Sequence, residues 1–354
     1  MITHLGDADG VLVVDETGDL KKGICTVGVQ RQYTGTAGRI ENAQVAVYLT
    51  YAGARGHAMI DRELYLPRSW TEDPERLAEA GVPDDIEFLT KPALATGMVI
   101  RALTGDVPAR WVTGDEVYGA DPQLRVELEA RRVGYVLAIG CDRRIPTQAG
   151  LLRADEIAAG LPRRAWQRLS AGAGAKGQRY YDWALVSHPD SAGGTDPDPA
   201  DTQRWWLLVR RHRDTGELAF YRCYSPDMVP LRELVRVAGR RWTVEESFQA
   251  GKGLAGLDEH QVRRWTSWRR WTLLAMIAHA LLAVIAAREH DLRPAPDGLI
   301  ALTCNEIRRL FVTFVIEPAR TLSCPHTWSL WRRRHQHRAQ TSHYQRQEAA
   351  EPWT

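Results

Sequence analysis

Two apolar runs in this chain each end on an aspartate. Residues 11–14, Val-Leu-Val-Val, lead into Asp15 and the turn-prone pair Thr17-Gly18, and residues 111–113, Trp-Val-Thr, lead into Gly114-Asp115. A short continuous apolar run bounded by turn formers reads as a buried strand. Each aspartate taken alone is an ordinary turn former. Together they constrain the fold, because ligands of such sheets gather where the carboxyl ends of strands and their loops converge.

Further strands are predicted at residues 45–51, 58–66 and 135–139. A helix is expected over 91–103, with Pro92 in its first turn, and another from Asp121, its N-cap, through Arg132. The order β-β-β-α-β-α-β, with acids ending the first and fourth strands, is similar to that of a ribonuclease-H-like fold: an α/β class with a mixed sheet flanked by helices. Residues 145–225 interrupt it with Gly-rich turns, a Pro/Asp-rich loop at 196–201 and strand-like runs at 180–186, 205–210 and 218–224. The expected organisation is a first part of the core at 1–144, a β-rich insertion between the second Asp and a later Glu at 145–225, a helical completion at 226–325 and a basic tail at 326–354.

A third stretch carries more specificity. Three residues separate Arg241 from Glu245, and six separate Glu245 from Lys252. With Val-Val-Asp15-Glu-Thr-Gly and Trp111-Val-Thr-Gly-Asp115-Glu-Val-Tyr118-Gly119, this resembles the DDE-class insertion-sequence transposases of bacteria, which carry a Tyr-Arg-Glu-Lys signature at that spacing. The tyrosine position is Ala238 here, a departure from the pattern. The match continues through Gly256-Leu-Asp258 and Val262-Arg-Arg-Trp265.

The resemblance implies a cut-and-paste enzyme that cleaves phosphodiesters at transposon inverted-repeat ends and transfers the strand into target DNA. It implies Asp15, Asp115 and Glu245 as catalytic residues and metal ligands, and a homodimer on DNA in the cytoplasm, at the bacterial nucleoid. The chemistry agrees. Two divalent ions, Mg²⁺ or Mn²⁺, can activate water, steady the leaving oxygen and neutralise charge on phosphorus. Hard cations of this kind take carboxylate ligands. About 130 residues separate Asp115 from Glu245, far more than an ordinary connection.

Neighbouring acids compete for these roles: Glu16, Glu116 and Glu246. Thr243-Val-Glu-Glu246 fits a capping box, which would occupy Glu246 and leave Glu245 free in the first turn of a helix. Lys252 shares a face with Glu245, and Lys252 and Arg241 suit phosphate contacts, or alternatively plain ion pairs. Trp205 and Trp206 are candidates to stack on a displaced base or, equally, to fill a core. Arg332, Arg333 and Arg334 head a stretch free of acids until Glu348, and Arg263, Arg264, Arg269 and Arg270 interleave with tryptophans. Both clusters suit a phosphate backbone, or a solvated helix face.

Composition excludes other classes. The 46 basic and 44 acidic residues nearly balance, so net charge decides little. Five scattered cysteines form no C-x-x-C pair, against a disulfide framework or zinc ribbon, and Cys324, His326, His335 and His337 match no zinc spacing. The greasy stretch 271–287 includes His279 and reads as a buried helix rather than a membrane span. No leader opens the chain. Similar transposases place a helical end-recognition region before the first aspartate, and residues 1–10 are too short for one. Impaired recognition of its own ends is therefore expected. The other readings are a transposase remnant that only binds DNA or a partner and, remotely, a carboxylate-pair glycosidase.

Overall fold

The computed structural model describes residues 1–174, 177–187, 204–261, 263–318 and 325–350, so the loop at 196–201 lies outside the described residues. Two compact units are formed, Met1–Pro294 and Ala295–Thr354.

The first unit opens with helix α1 (Ile2–Leu5) and strands β1 (Val11–Leu20), β2 (Gln30–Thr34), β3 (Arg39–Gly53) and β4 (Gly56–Leu64). Short helices α2 (Arg68–Thr71) and α3 (Pro74–Ala80) precede α4 (Lys91–Thr104), β5 (Trp111–Gly114), α5 (Glu116–Gly119), α6 (Pro122–Ala130) and β6 (Gly134–Ile139). Next come β7 (Arg144–Thr147), β8 (Gly150–Arg153), α7 (Ala154–Ala159), β9 (Gln167–Gly174), β10 (Gly177–Ser187), β11 (Arg204–Arg211) and β12 (Leu218–Ser225). The unit closes with α8 (Leu231–Arg240), α9 (Thr243–Ala255) and α10 (Trp265–Leu292). In the second unit, α11 (Cys304–Phe311) runs into a π-helical turn at Val312–Ile316, and α12 (Pro325–Ala350) follows.

Ten strands form one mixed sheet, ordered β2-β3-β1-β5-β6-β12-β11-β10-β9, with β4 also paired to β3. β1, β5 and β6 run parallel at its centre. β2 was not among the expected strands. Its sequence, Gln-Arg-Gln-Tyr-Thr, leaves only Thr34 buried, so it lacks the apolar alternation that marks a strand. The four long strands within 145–225 lie on the outer edge of the same sheet, because β12 pairs antiparallel with β6, Tyr224 opposite Tyr135.

Both faces of the sheet are covered. Val11 and Val13 of β1 pack with Leu234, Val237, Val244 and Phe248 of α8 and α9. Leu12 and Val14 pack on the other side with Ala95, Met98 and Tyr118 of α4 and α5. Successive side chains of a strand point to opposite faces, and β1 uses that alternation to feed two cores. The expected N-cap Asp121 accepts from Leu124 N–H at 3.0 Å, and Thr90, not singled out in the sequence, caps α4 by accepting from Ala93 N–H at 3.2 Å. α10 is amphipathic rather than wholly buried. Trp268, Thr272, Met276 and His279 are enclosed, while Leu274, Ile277 and Leu281 are exposed. By length and composition alone this helix could cross a membrane.

Candidate active site

The alternation along β1 separates two adjacent acids. Asp15 continues the face of Val11 and Val13, toward α8 and α9, and Glu16 continues the face of Leu12 and Val14, toward α4 and α5. On its side Glu16 accepts from Lys91 Nζ at 2.7 Å and from the Tyr118 hydroxyl. It is thereby engaged within the fold, although its charge still acts on Asp115. Asp15 is buried and meets Arg241 Nη1 at 3.9 Å, with Glu16 N–H donating to its Oδ1 at 2.8 Å. Thr17, two residues on and on the same face, accepts from Lys252 Nζ at 2.8 Å. Arg241 and Lys252 therefore bracket Asp15 and Thr17 in the middle of β1, which runs on to Leu20 rather than ending at Asp15.

Asp115 enters from the neighbouring strand. It is the N-cap of α5, accepting from Val117 N–H at 2.9 Å. That one-turn helix sits hard against β6: a Cβ on Gly119 would lie 1.8 Å from the carbonyl oxygen of Ala138. Gly114 is closely placed too, though less tightly, since a Cβ there would come within 2.7 Å of Val14 Cγ2. The glycines of the Gly114-Asp-Glu-Val-Tyr-Gly119 motif thus bring Asp115 beside β1.

The two aspartates feel each other. Burial, then repulsion from Asp115, pushes the Asp15 carboxyl up to about 8. Asp115 is also raised, by burial first and by Glu16 second, with Arg241 pulling the other way. One guanidinium shared between a buried and a half-buried carboxylate leaves excess negative charge. An all-oxygen donor set in that condition fits a hard divalent cation. Among the described residues, no three His, Cys, Asp or Glu side chains cluster tightly enough to form a complete set of metal ligands.

Glu245 lies one helical turn beyond Arg241, since Arg241 and Trp242 keep right-handed helical backbone between α8 and α9. It is half-buried and free of hydrogen bonds and ion pairs among the described residues. Glu246 is engaged, but not as expected. Thr243 is no N-cap: its hydroxyl donates to the Arg240 carbonyl at 2.7 Å, because the chain enters α9 already helical from α8. Glu246 instead accepts from His57 Nε2 at 3.2 Å, and this hydrogen bond holds its carboxyl below the usual range. Sequence reasoning missed His57, which sits at the start of β4 and contacts α9 only in three dimensions.

The remaining candidates are dispersed. Ala238, at the signature's tyrosine position, is buried under α8. Trp206 is buried in the core beneath β11. Trp205, half-buried, donates Nε1–H to Glu129 at 3.2 Å and packs on Tyr224. Arg332, Arg333 and Arg334 are exposed on α12 of the second unit, where Trp331 stacks between Trp328 and His335. Cys324 lies outside the described residues.

Residues 1–183, which include both aspartates, match the family model described as DDE superfamily endonuclease. The chain belongs to this family. Among similar proteins, the probable transposase for insertion sequence element IS701 of Microchaete diplosiphon is 24% identical over 278 residues. That match takes in 72% of this endonuclease-family chain and 60% of the relative, so the chain spans well under the full length of the curated protein it matches. Among solved structures, the piggyBac transposase synaptic complex with hairpin DNA aligns at a TM-score of 0.40 and 12% identity. That alignment covers 89% of this chain and 54% of the other.

Proposed function

We propose that this DDE-family chain is a transposase that cleaves phosphodiesters at transposon ends and joins the freed strand to target DNA, with Asp15, Asp115 and Glu245 as its metal-binding acids. The observation that carries the reading is that Asp15, buried on β1, and Asp115, half-buried as the N-cap of α5 on the adjoining β5, are brought together, with Arg241 reaching Asp15 at 3.9 Å. Glu245, unpartnered one turn from Arg241, supplies the third carboxylate. The strand order β4-β3-β1-β5-β6 supports the ribonuclease-H-like reading of the core, with 145–225 as its β-rich elaboration, 226–325 as its helical completion and 326–354 as a basic tail.

Two divalent ions bound by these acids, Mg²⁺ or Mn²⁺, would supply the Lewis acidity that phosphoryl transfer requires. The chain's own residues do the rest. Arg241 and Lys252, flanking Asp15 and Thr17 of β1, balance charge on the phosphate being cleaved. Tyr118 and Lys91 keep Glu16 out of the site. Trp205 and Arg332, Arg333 and Arg334 would contact DNA away from the chemistry. The assembly on DNA is a homodimer working at the bacterial nucleoid in the cytoplasm.

The test is cleavage of plasmid DNA carrying the element's ends, with Mg²⁺, Mn²⁺ or chelator. Wild type should cut only with metal, and Asp115→Asn should lose cutting while still binding DNA. Metal-independent cutting, or full activity in Asp115→Asn, would overturn the assignment.

A further inference from the structure

One concentration of positive charge lies outside the acid pair. Arg125, Arg143, Arg144 and Arg222 line a cleft of about 390 Å³, whose wall also includes Gly119 and Ala120 at the far end of α5. Asp142 is the one carboxylate lining it. None of the four arginines forms an ion pair among the described residues. Arg125 Nη1 donates to the carbonyls of Gly119 at 2.8 Å and Asp121 at 3.0 Å, and Arg222 Nη2 reaches the Arg144 carbonyl at 3.4 Å. The nearby Glu129 is occupied by uncharged donors, the Tyr135 hydroxyl at 2.6 Å and Trp205 Nε1–H at 3.2 Å.

Four guanidinium groups around one cleft repel one another, and burial followed by the charge of Arg125 holds Arg222 below its ordinary range. A fold that gathers four guanidinium groups against a single lining carboxylate, Asp142, with Glu129 nearby, keeps an excess of positive charge that is matched to a polyanion. The cleft is not closed around a single anion. It shares Arg125 and Arg222 with a second cleft of about 310 Å³ running toward Trp205. α5 is one turn long, about 6 Å at 1.5 Å per residue, so the arginines begin roughly that far from Asp115.

We propose that Arg125, Arg143, Arg144 and Arg222 form a phosphate-binding track that holds the DNA backbone next to the bond cleaved at Asp115. The proposal rests on the DNA-cleavage reading above and adds to it a set of phosphate contacts within the first unit, separate in sequence from the basic tail. Arg143 and Arg144 are exposed, so replacing them leaves the core intact.

The experiment measures binding of the full chain to a labelled duplex of about 30 base pairs, in chelator, as salt rises from about 50 to 200 mM. The double variant Arg143→Ala/Arg144→Ala should lower the slope of log affinity against log salt by about 1.8, at about 0.9 per lost phosphate contact. Arg143→Lys/Arg144→Lys should restore most of that slope. An unchanged slope in the alanine pair, with wild-type thermal stability, overturns the track. Asp115→Asn separates the two readings, since it should abolish cutting and leave the slope alone. A wild type that binds DNA but never cuts, with the expected slope loss in the alanine pair, would sink the enzymatic reading while supporting the track. Absence of any DNA binding would overturn both.

Discussion

His57 bridges the two residues that follow Glu245: its Nε2 lies 3.2 Å from Glu246 Oε2 and its Nδ1 lies 2.8 Å from Ser247 Oγ. The clamp ties β4 to the first turn of α9 and commits Glu246 to structure. Glu246→Gln should therefore keep metal-dependent cutting within severalfold of wild type, at a stability cost of roughly 0.5–1.5 kcal/mol. Glu245→Gln should abolish cutting with little change in stability. The reverse pattern, in parallel cleavage and thermal-melt assays, would exchange the two roles.

Asp15 is held in a site that disfavours its charge. In chelator, Asp15→Asn removes both the burial of a carboxylate and its repulsion with Asp115, at nearly constant shape. The variant should melt several degrees higher than wild type at pH 8 and be inactive. A lower melting temperature would mean that the contact with Arg241 outweighs the cost of burying the acid.

Gly119 offers a purely steric test. An added Cβ would collide with the backbone of Ala138, which cannot move without displacing β6. Gly119→Ala should cost about 1–3 kcal/mol, in the range of overpacked cores, and should impair cleavage by shifting Asp115. Wild-type melting and cutting together would show that α5 can lift off the sheet freely.

His279 is enclosed on α10, with Nδ1 lacking a hydrogen-bond partner and its ring 6.4 Å from that of His57. Burial, reinforced by His57, lowers its pKa to about 4. Because the folded value lies below the ordinary value near 6.5, its contribution to stability is complete above that pH. It is lost as pH falls toward 4, where the unfolded chain has taken up a proton that the native state refuses. Up to about 3 kcal/mol is at stake, at 1.36 kcal/mol per unit. Denaturant titrations of His279→Leu should show a weaker loss between pH 6.5 and 4 than wild type, and equal slopes would remove His279 as the cause.

The exposed arginines of α12 act by charge alone in this reading. Neutralising Arg332, Arg333 and Arg334 together should weaken binding to all DNA alike and flatten the salt dependence by up to about 2.7 in slope, three contacts at about 0.9 each. Loss confined to one DNA sequence, with the slope unchanged, would indicate base reading instead.

The strands that carry Asp15 and lead to Asp115 were legible because uninterrupted apolar runs have few other interpretations. β1 does not stop at Thr17-Gly18, however: it continues to Leu20, held by its pairing with β3. Helices α4 and α6 were legible from Pro92 and from Asp121-Pro122, whose effects act locally. β2 was not, since an outer strand of polar residues carries no burial signal. The choice between Asp15 and Glu16 needed the strand's parity relative to two cores, which only the pairing of β1 with its neighbours defines. The choice between Glu245 and Glu246 rested on a local capping box that the helical entry from α8 overrides. The partner that engages Glu246, His57, lies 189 positions earlier, beyond the reach of any local pattern. Trp205 and Trp206 show the same limit: as neighbours on a strand they divide between faces, one reaching Glu129 and the other filling the core.

The antiparallel seating of β12 on β6 gives this architecture a growing margin. Val14 and Gly114 are register partners at the parallel centre of the sheet, and β6 stands between that pair and everything added from β12 outward. Hairpins at the margin can lengthen, shorten or change sequence while the hydrogen-bond ladder carrying the two aspartates keeps its register. Selection can thus reshape the periphery, and with it whatever surface is presented to nucleic acid, without renegotiating the geometry of the acids.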